Sequence, residues 1–189
     1  MDGTYNYKNL DTPLEKPFTA LTQRRWLYDR CEEDVFKLLI DTHRFRLNDN
    51  YTFLGEAPYY VLGDPSPNRG ATEFRTFLKQ AFYHPDNKGL LPSWFTKAKI
   101  NECMAFARRT PSHHYNTMPE KSDILDYYGD PRMPMQLRMF AEQVLHRSPY
   151  GESGDAMMAF QAKLEREYSP GSGKVASMLN MDTSQSRGG

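Results

Sequence analysis

Residues 120–145 read EKSDILDYYGDPRMPMQLRMFAEQVL, with the residues that break helices in the middle of the stretch. Gly129 is suited to the left-handed residue that ends a helix. Asp130 and Pro131 then supply an N-cap and a first-turn proline for a second helix. The stretch therefore predicts two helices joined by a tight turn.

The methionines of this stretch have two interpretations. Met133, Met135 and Met139 can form an adaptable apolar surface for a protein partner, because the thioether side chain is flexible and polarisable. They can also fill gaps beside the two helix ends, and this interpretation is favoured because capped ends need covering. With Trp94, they are the candidate residues of a protein interface.

Apolar residues recur at spacings of three and four in several other segments, which predicts amphipathic helices. The strongest stripe consists of Leu27, Tyr28, Cys31, Val35, Leu38 and Leu39. Further stripes run through residues 72–82, 93–107 and 154–168.

The segment after the strongest stripe has a different pattern. Phe45 and Leu47, and then Tyr51 and Phe53, alternate with polar residues around the run 48–50, which is Asn-Asp-Asn. Alternation around such a run predicts a short strand pair. The predicted fold class is thus mainly α: a compact helical domain with a short extended β-hairpin-like segment and disordered tails.

Composition divides the chain into three parts. Residues 1–17 contain two prolines and little periodicity, so we expect an extended N-terminal arm. Residues 18–168 carry the helical patterns and form a single mainly helical domain. Residues 169–189 are rich in Gly, Ser and Thr and have too little apolar surface to offset chain entropy, so we expect a disordered C-terminal tail.

Charge and hydropathy limit the classes of partner. Lys+Arg and Asp+Glu are balanced at 24 each, so no net field attracts nucleic acid or an anionic membrane. Two short basic-aromatic runs, QRRW and RRTPSHHY, are too small for a broad nucleic-acid footprint.

No segment approaches the roughly 18–20 apolar residues of a membrane span, and the start lacks a signal-peptide pattern. We expect an intracellular protein, cytoplasmic or nuclear.

Known catalytic and metal-binding patterns are missing from the sequence. None of the five histidines has a second ligand at zinc-site spacing, so no metal or cofactor is predicted. Cys31 and Cys103 are interpreted as buried free thiols. No nucleophile elbow or phosphate-binding glycine loop is present, which favours a non-catalytic role. Paired acid and base carboxylates leave no local pattern, so an enzyme stays open as an alternative.

Several phrases together resemble a known family. They are FKLLIDTHRFRLNDNYTF, GATEFRTFLKQA, GLLPSWFTKAKINECMAFA and the block from 120 to 145. Over about residues 36–146 the chain resembles the region that accompanies the zinc finger in fungal MYND-finger proteins. A MYND finger needs seven cysteines and one histidine, whereas this chain has two cysteines, so the finger is absent and its zinc ligands correspond to no residue here. Where that family shows paired tryptophans, this chain has Trp94 and Phe95.

The resemblance implies a regulatory or scaffolding background, because MYND fingers are generally adaptors that hold proline-containing peptides. The combined hypothesis is a non-catalytic intracellular protein-interaction or assembly module with an unidentified protein partner. The alternative is a small enzyme or nucleic-acid binder whose site is assembled from distant residues.

Overall fold

The structure is a computed structural model that describes residues 9–57, 68–149 and 154–167. Within these ranges the chain forms seven α-helices and two short 3₁₀ helices, at Pro85–Asn87 and Pro111–His113. The helices are α1 Pro17–Thr22, α2 Glu32–Leu54, α3 Arg69–Tyr83, α4 Lys97–Arg109, α5 Lys121–Tyr128, α6 Met133–Leu145 and α7 Asp155–Glu167. The prediction of a mainly helical fold is confirmed.

Helix α2 is the central element, and it corrects the predicted β-hairpin-like segment. Residues 43–54, expected to be extended, are the C-terminal half of this one 23-residue helix, which ends at the left-handed Gly55 (φ 69°). The buried residues Leu38, Asp41, Thr42, Phe45 and Asp49 follow helical spacing. Phe45 is buried, whereas Tyr51 and Phe53 are about half exposed, at 46% and 45%. The apparent alternation therefore combined two different faces of a helix.

The N-terminal stripe was also assigned wrongly in part. Helix α1 ends at Thr22, and Leu27 and Tyr28 lie in turns before α2 rather than on it. Arg24 and Asp29 adopt left-handed backbone conformations (φ 57° and 60°) in this segment, which a continuous helix would not allow. The run QRRW thus does not open a helix.

The core forms where α2 packs against α3, α4 and α6, with α1 against α6 and α7. Its largest fully buried side chains are Trp26, Phe18, Phe45, Phe74 and Phe140. The ring of Trp26 lies 5.0 Å from that of Phe140, and its Nε1 donates to Gln136 Oε1 at 2.9 Å. The buried indole thus keeps the hydrogen bond that its N–H requires.

The turn between α5 and α6 agrees with its prediction at Gly129, which is left-handed (φ 62°) and ends α5. The details beyond it differ. Helix α6 begins at Met133, and the buried Asp130 accepts from the backbone N–H of Arg132 at 2.9 Å and from Gln136 Nε2 at 3.0 Å. Asp130 therefore stabilises the turn before the helix instead of capping the helix directly.

The two ends of the described chain meet. Helix α1 packs against α7, and the carboxylate of Glu165 accepts from the backbone N–H groups of Phe18 at 2.9 Å and Thr19 at 2.7 Å. These are donors that a helix N-terminus leaves unpaired. The backbone before α1 is held by Arg132, whose guanidinium donates to the carbonyl of Leu14 at 2.6 Å.

Parts of the predicted tails fall outside the described residues. These are residues 1–8 of the expected arm and residues 169–189, the expected disordered tail. Among the helices that the structure describes, none combines the length and the apolar character that a membrane crossing requires.

Candidate functional site

The predicted interface residues divide into buried and partly buried positions. Met133 and Met139 lie in the core, with 4% and 5% of their surfaces exposed, so they present almost no area to a partner. Met135 and Trp94 are partly buried and pack against the core. A binding role for these two side chains stays a prediction.

A groove of about 640 Å³ lies between the C-terminal half of α2, helix α3 and the end of α6. Its lining combines cationic, acidic and apolar groups: His43, Arg46, Leu47, Asn50, Glu56, Ala57, Arg69, Thr72, Glu73, Thr76, Phe77, Gln80, Leu145 and Arg147. Its volume is in the range typical of ligand-binding sites. The continuation of α2 as a helix through residue 54 is what creates one wall of this groove.

His43 contributes an unusual polar group to the groove. Its side chain is 7% exposed and lies beside the rings of Phe74 and Phe77, each with a centroid 5.4 Å away. The Nε2 atom is buried without a hydrogen-bond partner. Burial, and then the neighbouring charge of Arg44, lower the pKa of His43 to about 3, so the imidazole is neutral near pH 7.

Two arginines meet at the far end of the groove. Arg46 is buried, donating to Asn50 Oδ1 at 2.8 Å and to the carbonyl of Arg147 at 3.0 Å. Burial, and then the charge of Arg147, lower the pKa of Arg46, although Glu142, Asp49 and Glu56 act in the opposite direction. Like charges at this end disfavour each other, and the neighbouring carboxylates offset part of that repulsion.

A second cluster of ionisable groups joins α2, α5 and the Pro111–His113 turn. Asp41 accepts from the Tyr128 hydroxyl at 2.7 Å and from Arg44 Nε at 3.1 Å. His113 Nε2 lies 3.5 Å from Asp41 Oδ2, which is an electrostatic contact rather than a well-formed hydrogen bond. His113 Nδ1 in turn lies 3.0 Å from the hydroxyl of Ser112, which is exposed. Asp41, Arg44, Ser112 and His113 line a cavity of about 300 Å³.

The protonation states in this cluster follow from its contacts. Burial raises the pKa of Asp41, but His113, Arg44 and Tyr128 together outweigh burial and hold the pKa below its ordinary value. Burial and the facing carboxylate raise the pKa of Tyr128 well above its ordinary value. Asp41 is therefore ionised and Tyr128 protonated near pH 7, which is the arrangement that stabilises a buried carboxylate.

The structure separates the residues of the run RRTPSHHY. Arg108 and Arg109 are exposed in the last turn of α4, where cations interact favourably with the helix dipole. His113 and Tyr115 are buried, at 2% and 6% exposure. The run does not form one continuous basic-aromatic surface.

The expectation of two buried free thiols holds for Cys103, whereas Cys31 is only partly buried. Burial raises the pKa of both Cys31 and Cys103, and Cys103 is fully buried while Cys31 is half-buried at the N-cap of α2. Thiols become nucleophilic when their pKa is lowered, so neither has the environment of a reactive cysteine.

Sequence reasoning missed both clusters for one reason. The buried polar residues His43, Arg44 and Arg46 fall in the part of α2 where an extended segment was expected, and Asp41 lies just before it. Comparison of the chain with models of known families, with curated proteins and with solved structures found no match.

Proposed function

We propose that this chain is a protein-interaction module and that the groove between α2 and α3 binds an acidic segment of its partner. The observation that carries the proposal is that Arg46 and Arg147 both line the 640 Å³ groove and are held together there by the bond from the Arg46 guanidinium to the backbone carbonyl of Arg147. A carboxylate between them would relieve their mutual repulsion, and guanidinium groups bind carboxylates with two parallel hydrogen bonds.

The rest of the groove suits a peptide better than a bare anion. Phe77 and Leu145 supply apolar contacts, and the ring of His43 is neutral near pH 7. Arg69 pairs with Glu73 at 3.2 Å, so its charge is balanced within the groove. Apolar walls with a few placed polar groups are typical of sites that recognise a ligand by shape and charge. The resemblance to regions that accompany MYND fingers also supports an interaction role.

The proposal is tested by selecting a displayed random-peptide library on the intact chain. We expect enrichment of peptides that carry Asp or Glu beside an apolar residue. Their affinity, measured by fluorescence anisotropy, should fall at least about tenfold in Arg147→Glu, because the charge at the mouth of the groove is reversed. Binding should also weaken as salt is raised, since the contact is partly exposed.

Arg108→Glu is the matched control, because Arg108 is equally an exposed arginine but lies on α4, away from the groove. This variant should bind the selected peptides as the wild-type chain does. Enrichment of neutral or basic peptides, or equal losses in both variants, would contradict the proposal.

A second candidate function rests on the contacts that join the Ser112 hydroxyl to the His113 ring and that ring to Asp41. An exposed hydroxyl beside an imidazole, with a carboxylate behind it, is the arrangement that activates a nucleophile for acyl transfer. In this alternative the chain is a small hydrolase. Against it, both oxygens of Asp41 already accept hydrogen bonds from Arg44 and Tyr128, which explains the cluster as a link between helices.

The hydrolase alternative predicts that a fluorophosphonate probe forms one covalent adduct per chain, located at Ser112 by peptide mass spectrometry. Ser112→Ala should abolish the adduct, and Ser93→Ala, at another exposed serine, should leave it unchanged. A wild-type chain that stays unmodified under conditions that label a known serine hydrolase would exclude this alternative.

A further inference from the structure

We propose that His84, Asp86 and His146 bind a divalent transition-metal ion, with Zn²⁺ the ion that best suits the ligand set. One ligand atom from each side chain lies within 4.8 Å of the others. The two imidazole rings are 4.5 Å apart between centroids. His84 Nδ1 accepts from the backbone N–H of Asp86 at 3.3 Å, so its Nε2 is the nitrogen left to bind an ion. Two imidazoles and a carboxylate form the three-ligand set that catalytic and exchangeable zinc sites use.

The backbone beneath the cluster is fixed by one buried side chain. The amide of Asn87, 3% exposed, donates to the carbonyl of Gln80 on α3 and to the carbonyl of Val144 on α6, each at 3.0 Å. The turn that carries His84 and Asp86 is thereby held against the end of α6, two residues before His146. Arg24 holds the other side of the turn by donating to the carbonyl of Asp86 at 2.7 Å.

The conformation of His146 also favours a site. It ends α6 with a left-handed backbone (φ 55°), which is uncommon for a residue other than glycine. The last turn of α6 contains no basic side chain, and the carbonyl groups there carry partial negative charge. A metal ion held by His146 would add the positive charge that this helix end lacks.

The ligands need a small adjustment to close around an ion. At about 2.0–2.1 Å from a tetrahedral Zn²⁺, ligand atoms lie about 3.3–3.4 Å from one another. The present separations, which reach up to 4.8 Å, require a closure of up to about 1.5 Å. His84 is half-buried and His146 and Asp86 are exposed, so side-chain rotation achieves this closure while Asn87 keeps the backbone in place.

Two of the three ligand residues, Asp86 and His146, line a cavity of about 450 Å³. Glu142 and Asp155 line it together with Arg24 and Arg147, so the nearby carboxylates and guanidinium groups balance each other and Asp86 adds one negative charge. The cavity has room for water or for a small ligand beside those two residues. The site is distinct from the peptide groove, although Arg147 borders both.

The first test is a calorimetric titration of the intact, chelator-treated chain with ZnCl₂, in a Cys31→Ser background that removes the half-buried thiol as a competing ligand. We expect one ion per chain. His84→Asn and His146→Asn should each weaken binding at least tenfold, and asparagine tolerates the left-handed backbone at 146. His114→Asn changes a histidine outside the cluster and should bind zinc as the Cys31→Ser chain does. Thermal melts without zinc should show that every variant is folded.

A second measurement needs no variant of the ligands. In assigned NMR spectra of the wild-type chain, Zn²⁺ should shift the ring signals of His84 and His146 and leave those of His43, His113 and His114 unchanged. Shifts of other histidines instead, the absence of saturable binding, or an affinity retained in both asparagine variants would overturn the proposed site.

Discussion

Asp41→Asn is expected to lower the unfolding free energy by about 3–5 kcal/mol, because it removes the counterion of a buried guanidinium. Asp41 and Arg44 are 1% and 5% exposed, so water solvates the remaining charge of Arg44 poorly, and its guanidinium keeps only neutral acceptors such as the carbonyl of Ser112 at 2.9 Å. Tyr128 loses its charged acceptor at the same time. For a domain of this size the loss corresponds to a decrease in Tm of about 6–20 °C, measured by circular dichroism or calorimetry.

Asp126→Asn is the matched control, because it makes the same chemical change at an exposed position on α5. Its Tm should stay close to that of the wild-type chain. An Asp41→Asn chain that melts within about 2 °C of the wild type would show that Asp41 does not carry the stability assigned to it.

Acid is expected to destabilise the fold through His43 before most carboxylates titrate. Its ordinary pKa of 6.5 falls to about 3 in the folded chain, so below pH 6.5 the unfolded chain binds a proton that the folded chain does not. Stability contributed by the neutral imidazole is complete above pH 6.5 and is lost as the pH falls. The free energy of unfolding falls by about 1.4 kcal/mol per pH unit, or by about 2–3 kcal/mol between pH 6.5 and 4.5.

His43→Phe should flatten this pH dependence, because phenylalanine keeps a ring between Phe74 and Phe77 and does not titrate. His114→Phe, at a half-buried histidine outside the groove, should keep the wild-type slope. Urea unfolding at half-unit steps from pH 7 to 4.5 measures both. If the free energy of unfolding of His43→Phe fell with pH as steeply as that of the wild-type chain, groups other than His43 would cause the acid sensitivity.

The helical segments that were predicted well are those with local end signals. Gly129 supplies φ above zero at no steric cost, so its role as the end of α5 follows from its chemistry alone. The stripes in α3 and α4 likewise follow helical spacing, and their apolar residues Phe74, Phe77, Ile100 and Cys103 are buried. In these cases the local preference and the tertiary packing agree.

The extent of α2 was not predictable in the same way. Its C-terminal half contains Asn48, Asp49 and Asn50, which favour turns in isolation. In the folded chain Asp49 is buried and its carboxylate accepts from Arg138 on α6, with Nε and Nη2 at 2.7 and 2.6 Å. An ion pair with a residue 89 positions away thus helps to hold a turn-prone segment in a helix, and no local pattern contains that partner.

The candidate sites were hidden for a related reason. His84 and His146 come together only because Asn87 joins the turn after α3 to the end of α6. The groove exists only because α2 continues past residue 43. Spacing rules detect ligands that share one helix or loop, whereas these residues are brought together by tertiary packing.

The bond between Glu165 and the start of α1 has a consequence for biosynthesis. A helix of six residues is not stable alone, and the carboxylate that accepts its first N–H groups lies 147 positions later in the chain. While the chain is being translated, α1 therefore emerges long before its cap exists. Among the helices that the structure describes, α1 leaves the ribosome first, yet it is completed only after α7 has also emerged.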